Sequence, residues 1–162
     1  MDKNEIKVGI GDLNVATPPD KIITLGLGSC VGIALYDSSN KIAGLAHIML
    51  PSSIGFSNQS NPLKFADLAL PSLLEGMLKK GANKRNIRAK IAGGASMFSF
   101  GDKSSIADIG KRNGLSVKEI LAKMNIPIMA EDLGGSSGRT MIIESDTGKV
   151  FIRTVGKGTK EL

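Results

Sequence analysis

Between residues 22 and 51 the chain carries short β-branched and apolar runs at 22–27, 31–36 and 42–49, broken by glycines and by the turn signal Asp37-Ser-Ser-Asn40. Such punctuation reads as strands, the last two paired as a hairpin. It also confines the chemistry. Cys30 and His47 are the chain's single cysteine and single histidine, and both fall inside this stretch. A thiolate attacks carbonyl carbon well, but a free thiol of pKa ~8.5 is mostly protonated at neutral pH, so a neighbouring imidazole is its usual activator. A free cysteine also packs often as a small buried hydrophobe, and a histidine between Ala46 and Ile48 can be a satisfied core residue. Gly26, Gly28 and Gly32 around Cys30 favour chemistry, because they leave backbone bare where a substrate or an oxyanion could approach. The residues alone leave both readings open.

A chain of 162 residues suits a single domain, residues 1–162, that buries a full core without disulfide or metal. One cysteine forms no internal disulfide, and no run of about 18 apolar residues and no charged leader with an apolar core is present, so the expectation is a cytoplasmic protein without membrane insertion. The net charge of +6 favours an acidic partner. Nucleic acid is disfavoured, because the 21 Lys and Arg are scattered, aromatics make up 4% with no Trp, and no helix-turn-helix or basic-aromatic pattern is visible. With one His and one Cys there is no ligand set for a metal, and no cofactor is expected.

The remaining pattern predicts a first strand at 6–10, a polar loop at 51–61 as a flexible rim beside His47, and a helix at 63–80 with Leu70, Leu74, Met77 and Leu78 on its apolar stripe. Pro71 should kink or restart that helix. A strand follows at 88–92, then helix in two pieces, 105–113 and 116–125. Ser116 and Glu119 read as a capping box, with Val117, Ile120, Leu121 and Met124 as the buried stripe. Strands at 127–132, 140–145 and 150–155 close the chain, the last two joined by the turn Asp146-Thr-Gly-Lys149. The expected architecture is α+β or layered α/β, with helices packed on a mixed, largely antiparallel sheet.

Thr24-Leu-Gly-Leu-Gly-Ser-Cys30 followed by Ala46-His47-Ile-Met-Leu-Pro51 resembles the CheD family of chemoreceptor glutamine deamidases. Three more segments follow in the family's order: Ile91-Ala-Gly-Gly-Ala-Ser-Met-Phe98, Ile109-Gly-Lys-Arg-Asn113, and Glu131-Asp-Leu-Gly-Gly135 with Gly138-Arg139. The resemblance runs from about residue 8 to 156. It implies a chemotaxis amidohydrolase, a protein-glutamine glutaminase that converts receptor glutamines to glutamate and can hydrolyse receptor glutamyl methyl esters, with a fold similar to that of cytotoxic necrotizing factor toxins. It also implies Cys30, His47 and Thr24 as the catalytic residues. The implied partners are the cytoplasmic helical region of methyl-accepting chemotaxis receptors and a CheC-type phosphatase; a mainly non-catalytic adaptor for both is the alternative.

Thr24 and Cys30 are six residues apart, so on a continuous strand they share a face, unless the glycines break the run. Asp37 and Asp132 rival Thr24 as the group that orients His47, since a carboxylate does so more strongly. Backbone at Gly28, Ser29 and Cys30 is the candidate oxyanion site, and Ser29 is the weaker candidate nucleophile. Phe98 and Phe100 are candidate partner contacts. Gly93-Gly94 and Gly134-Gly135 could line a cleft or contact partner backbone but read first as tight turns at strand ends, and Arg112 with Asn113 reads as a helix-end hydrogen-bonding network.

Overall fold

A computed structural model describes residues 4–58, 60–97 and 108–162. Among them, ten strands form two five-stranded sheets. One has the order β1 (Glu5–Val8), β3 (Lys21–Leu27), β8 (Arg139–Glu144), β9 (Val150–Thr154), β10 (Gly158–Glu161). The other has the order β2 (Asp12–Ala16), β5 (Ile42–Ile48), β4 (Val31–Asp37), β6 (Ile87–Gly93), β7 (Ile128–Leu133). Each sheet is mixed. The pairs β1–β3 and β6–β7 are parallel, and every other pair is antiparallel. The helices α1 (Ala66–Lys79) and α2 (Ile109–Lys123) pack on the second sheet, giving an α+β sandwich of sheet, sheet and helices.

The central sheet is buried on both faces, which explains why β4 and β5 are almost unbroken apolar runs. Period-two alternation sorts their side chains. Val31, Ile33, Leu35, Ala46 and Ile48 join Leu70, Leu73 and Met77 of α1 and Val117 and Leu121 of α2 in one cluster. Ala34, Ala43, Leu45 and Ala92 face the other way, against Ile22, Leu27, Met141 and Ile152 of the first sheet.

The expected class holds, with differences of detail. The β-rich part divides into two sheets rather than one, and the strands β2 and β10 were not signalled by the pattern; β2 alternates as expected of an edge strand but contains Asp12 and Asn14. The hairpins across Asp37–Asn40 and Asp146–Lys149 form as expected. The helix α1 is continuous through Pro71, which sits on its exposed side and forfeits a single backbone bond. Leu70, Leu73 and Met77 are its buried stripe, whereas Leu78 is exposed. The two helical pieces expected around 105–125 are one helix from Ile109, and residues 105–107 lie outside the described residues. Ser116 is therefore inside the helix and not a cap: its hydroxyl donates to the Pro51 carbonyl at 2.7 Å, and Glu119 pairs with Lys123 at 3.1 Å. The loop at 51–61 is anchored, with Ser53 bonded to the Asp67 carboxylate and Phe56 stacked at a tilt on Phe65, 5.2 Å between centroids.

Candidate active site

The chain passes from the first sheet to the second between Leu27 and Val31, and Cys30 sits on this crossing. A register shift between Thr24 and Leu27, at Gly26 with φ +73°, breaks the strand parity that would otherwise relate Thr24 to Cys30. Both side chains face the space between the sheets all the same, because they approach it from opposite walls.

Three hydrogen bonds to backbone carbonyls hold the crossing. Gly94 N–H donates to Cys30 C=O at 2.8 Å, Ala95 N–H to Gly28 C=O at 2.8 Å, and the Asn113 side chain to Ser29 C=O at 3.0 Å. Gly93 makes the first possible. A Cβ there would lie 2.2 Å from the Cys30 carbonyl oxygen, and its φ of +114° suits glycine alone. Its role is close approach at the end of β6, where the expectation was a turn. Arg139 braces the same corner, donating to the Gly93 and Gly134 carbonyls.

His47 lies opposite Gly32 in the β4–β5 ladder, and Cys30 precedes Gly32 by two residues. The ladder ends at Val31 and Ile48, so Cys30 lies just beyond it, with its side chain in the cluster between the sheets, the face that strand parity also gives His47. Gly32 places no side chain between them, and a Cβ there would meet Met141 Sδ at 2.9 Å and Leu27 Cδ1 at 3.1 Å.

Thr24 reaches His47 from the facing sheet. Its Oγ1 lies 2.7 Å from His47 Nδ1 and 2.7 Å from the Val8 carbonyl oxygen, and both side chains are buried. A hydroxyl has one proton, and a carbonyl can only accept. The Thr24 proton therefore goes to Val8, the hydroxyl lone pair accepts from Nδ1–H, and Nε2 is left bare. That Nε2 is buried with no hydrogen-bond partner among the described residues, Cys30 included.

Burial sets the charge state. Desolvation lowers the His47 pKa from 6.5 to about 4 and raises that of Cys30 above 9.0, a rise opposed by the thiol's own backbone N–H. Burial therefore opposes moving the proton from thiol to imidazole in the resting protein, because it disfavours both charged forms. The resting pair is neutral.

The rival carboxylates are elsewhere. Asp37 ends β4, roughly 20 Å along the strand from Cys30 at ~3.3 Å per residue; burial pushes its pKa up, but bonds from Asn40, Asn83 and Ser39 outweigh this and hold it below the usual value. Asp132 lies 3.2 Å from Lys160 and 3.8 Å from Arg139. Gly28 N–H is already bonded to Gly26 C=O at 3.0 Å, which removes it from the candidate oxyanion donors and leaves the amides of Ser29 and Cys30. Phe98 and Phe100 lie outside the described residues. A cleft of about 380 Å³ between α2 and the ends of β6 and β7 includes Lys111, Lys118, Glu131 and Gly134 in its wall but none of Thr24, Cys30 and His47. No cluster of His, Cys, Asp and Glu able to hold a metal occurs among the described residues.

Asn113 was legible only as part of a helix-end network. In the fold it is fully buried and reaches both the Cys30 crossing and the segment after His47, donating to Ser29 C=O and Met49 C=O at 3.0 Å each.

A family model described as "CheD chemotactic sensory transduction" matches residues 49–154, and Thr24, Cys30 and His47 precede that segment. They lie within the full-length likeness to a protein of Clostridium novyi (strain NT) named "Probable chemoreceptor glutamine deamidase CheD", 65% identical over 162 residues and covering 100% of both chains. A protein of Clostridium botulinum (strain Hall) with the same name is 64% identical over the same span, again 100% of both. Among solved structures, the crystal structure of Bacillus licheniformis hypothetical protein YfiH is similar at a TM-score of 0.47 and 15% identity, covering 80% of this chain and 60% of that one. A family model that spans well over half of the chain, and relatives nearly two-thirds identical along its whole length, mean that this chain belongs to the CheD family.

Proposed function

We propose that this chain is a cytoplasmic chemoreceptor glutamine deamidase in which Cys30 is the nucleophile, His47 its base and Thr24 the group that orients His47. The observation that carries the reading is the buried chain from Val8 carbonyl through Thr24 hydroxyl to His47 Nδ1, which leaves Nε2 as a free base on the face that holds the thiol. The name of the full-length relatives supports the substrate.

In the reaction, Nε2 takes the thiol proton as Cys30 Sγ attacks the carboxamide carbon, and the carbonyl π electrons move to oxygen. The amides of Ser29 and Cys30 are the donors for that oxyanion. The imidazolium then gives its proton to the nitrogen as the C–N bond breaks, and ammonia leaves with a thioester behind. Water, deprotonated by Nε2, attacks the thioester; the C–S bond breaks, the thiol is restored and the product is glutamate. A glutamyl methyl ester would follow the same path with methanol as the leaving group. Because the pair is neutral at rest, proton transfer and attack are coupled, and the thiol gains nucleophilicity when substrate occupies the site.

Segments beside the pair carry exposed apolar side chains: Met49 two residues after His47, and Met97 over Gly28. Such a rim suits the flank of a receptor helix that presents a glutamine side chain, and a CheC-type phosphatase would compete for it. The test incubates the protein and its Cys30→Ala variant with a chemoreceptor cytoplasmic fragment, following Gln to Glu conversion by peptide mass and ammonia release. Conversion by the wild type alone is expected. No conversion by either, with tight binding to the fragment or to a CheC-type protein, would replace the enzyme reading with an adaptor.

A further inference from the structure

The ladder between β4 and β5 ends at the pair Val31 and Ile48, with Cys30 just before Val31 on one side and Met49 just after Ile48 on the other. Just past this end, the carbonyls of Ser29 and Met49 both face Asn113. Two carbonyls cannot bond each other, so whatever joins them must supply two donors. We propose that Asn113 is the positioning residue that sets the placement of Cys30 relative to His47, acting as an added rung where the backbone ladder stops. This rests on the deamidase reading above.

The chemistry of the side chain fits the task. A neutral carboxamide offers two N–H donors on one nitrogen, and both are used here, at 3.0 Å each. Ser or Thr has one donor, Asp has none when ionised, and Lys or Arg would carry a charge into a fully buried position. Oδ1 is buried without a partner among the described residues, so the NH2 end alone orients the group. The mount is rigid. Asn113 projects from α2, whose Val117 and Leu121 are fully buried against the central sheet. Ser29 C=O is attached directly to the Cys30 amide nitrogen, so releasing it lets both the thiol and a candidate oxyanion donor shift.

The experiment compares Asn113→Ala, Asn113→Ser and Asn113→Asp with Ser116→Ala, which loses one hydrogen bond from the same helix to a carbonyl farther from either reacting residue. Two measurements are made on each: steady-state deamidation of a chemoreceptor fragment, and the rate against pH at which iodoacetamide alkylates the single cysteine. A 1 Å displacement of a reacting group can cost on the order of 100-fold. The expected result is a 10- to 100-fold lower kcat for Ala and Asp with KM within about twofold, a smaller loss for Ser with its single donor, and wild-type kcat for Ser116→Ala. Alkylation of the Ala and Asp variants should differ from the wild type in rate by several-fold across the pH range, because release of Ser29 C=O shifts the thiol and its own amide. Wild-type kcat in folded Asn113→Ala would overturn the proposal, as would an equal loss in Ser116→Ala at matched Tm. If Asn113→Ala does not fold, Asn113→Ser decides: wild-type kcat and alkylation profile overturn it. If the wild type deamidates nothing, the deamidase reading fails separately, and an alkylation profile unaltered by Asn113→Ser or Asn113→Ala then overturns the positioning role as well.

Discussion

The two faces of the central sheet are built from the same strands and do different work. Toward the helices, β4 and β5 present Val31, Ile33, Leu35, Ala46 and Ile48 to Leu70, Leu73 and Met77 in one apolar cluster. Toward the first sheet they present Gly32, Ala34, Ala43 and Leu45, and among these small residues sit Cys30 and His47 with Thr24 facing them. The first face is plain close packing, whose loss costs stability and little else. The second holds a buried imidazole nitrogen with no partner among the described residues, a cost that a packing surface would not carry. Plain packing and the proposed chemistry are thus separated by strand parity, one residue apart along the chain.

The comparison breaks most sharply at Cys30. Cys30→Ala should lower deamidation by at least ~10³-fold while leaving the fold intact, measured by ammonia release and by Tm. An active Cys30→Ala would assign the chemistry to another face. On the helix side, Leu73→Ala should cost about 2–5 kcal/mol in denaturant unfolding and leave kcat unchanged below the transition.

His47 ties the faces together through pH. Its pKa falls from 6.5 in the unfolded chain to about 4 in the fold, so the unfolded chain binds a proton that the native state refuses. The stability is therefore complete above pH 6.5 and is lost as pH falls toward 4, by roughly 3 kcal/mol. Thermal melts across that window should fall more steeply for the wild type than for His47→Gln, and the acid limb of kcat/KM should lie near pH 4 rather than 6.5. The smallest effect is expected at Thr24. Thr24→Val removes a neutral hydroxyl that orients the ring without stabilising its charge, so kcat should drop about 10- to 100-fold, or ~1.4–2.7 kcal/mol, whereas Thr24→Ser should recover most of it.

The candidate site was legible because its members are rare. One cysteine and one histidine, on adjacent apolar runs joined by a turn signal, are local facts, and a hairpin places neighbours in register without help from the rest of the chain. Most helices and strands were legible for the same reason, their patterns being periodic over a few residues. Exceptions were the edge strand β2, where Asp12 and Asn14 dilute the pattern, and Ser116, whose resemblance to a cap was local while its bond to Pro51 is not.

Sequence alone determined most of the elements, the hairpin and the candidate pair, because each is written in spacing along the chain. Tertiary structure decided what partners that pair. Thr24 rather than Asp37 or Asp132 meets His47 because the sheets stack, bringing β3 over β5; Asn113 reaches Ser29 and Met49, 84 and 64 residues away in the chain, because α2 packs over the end of β4. Contacts between layers depend on how faces stack in space, and no period along one strand encodes which distant side chain will stand opposite.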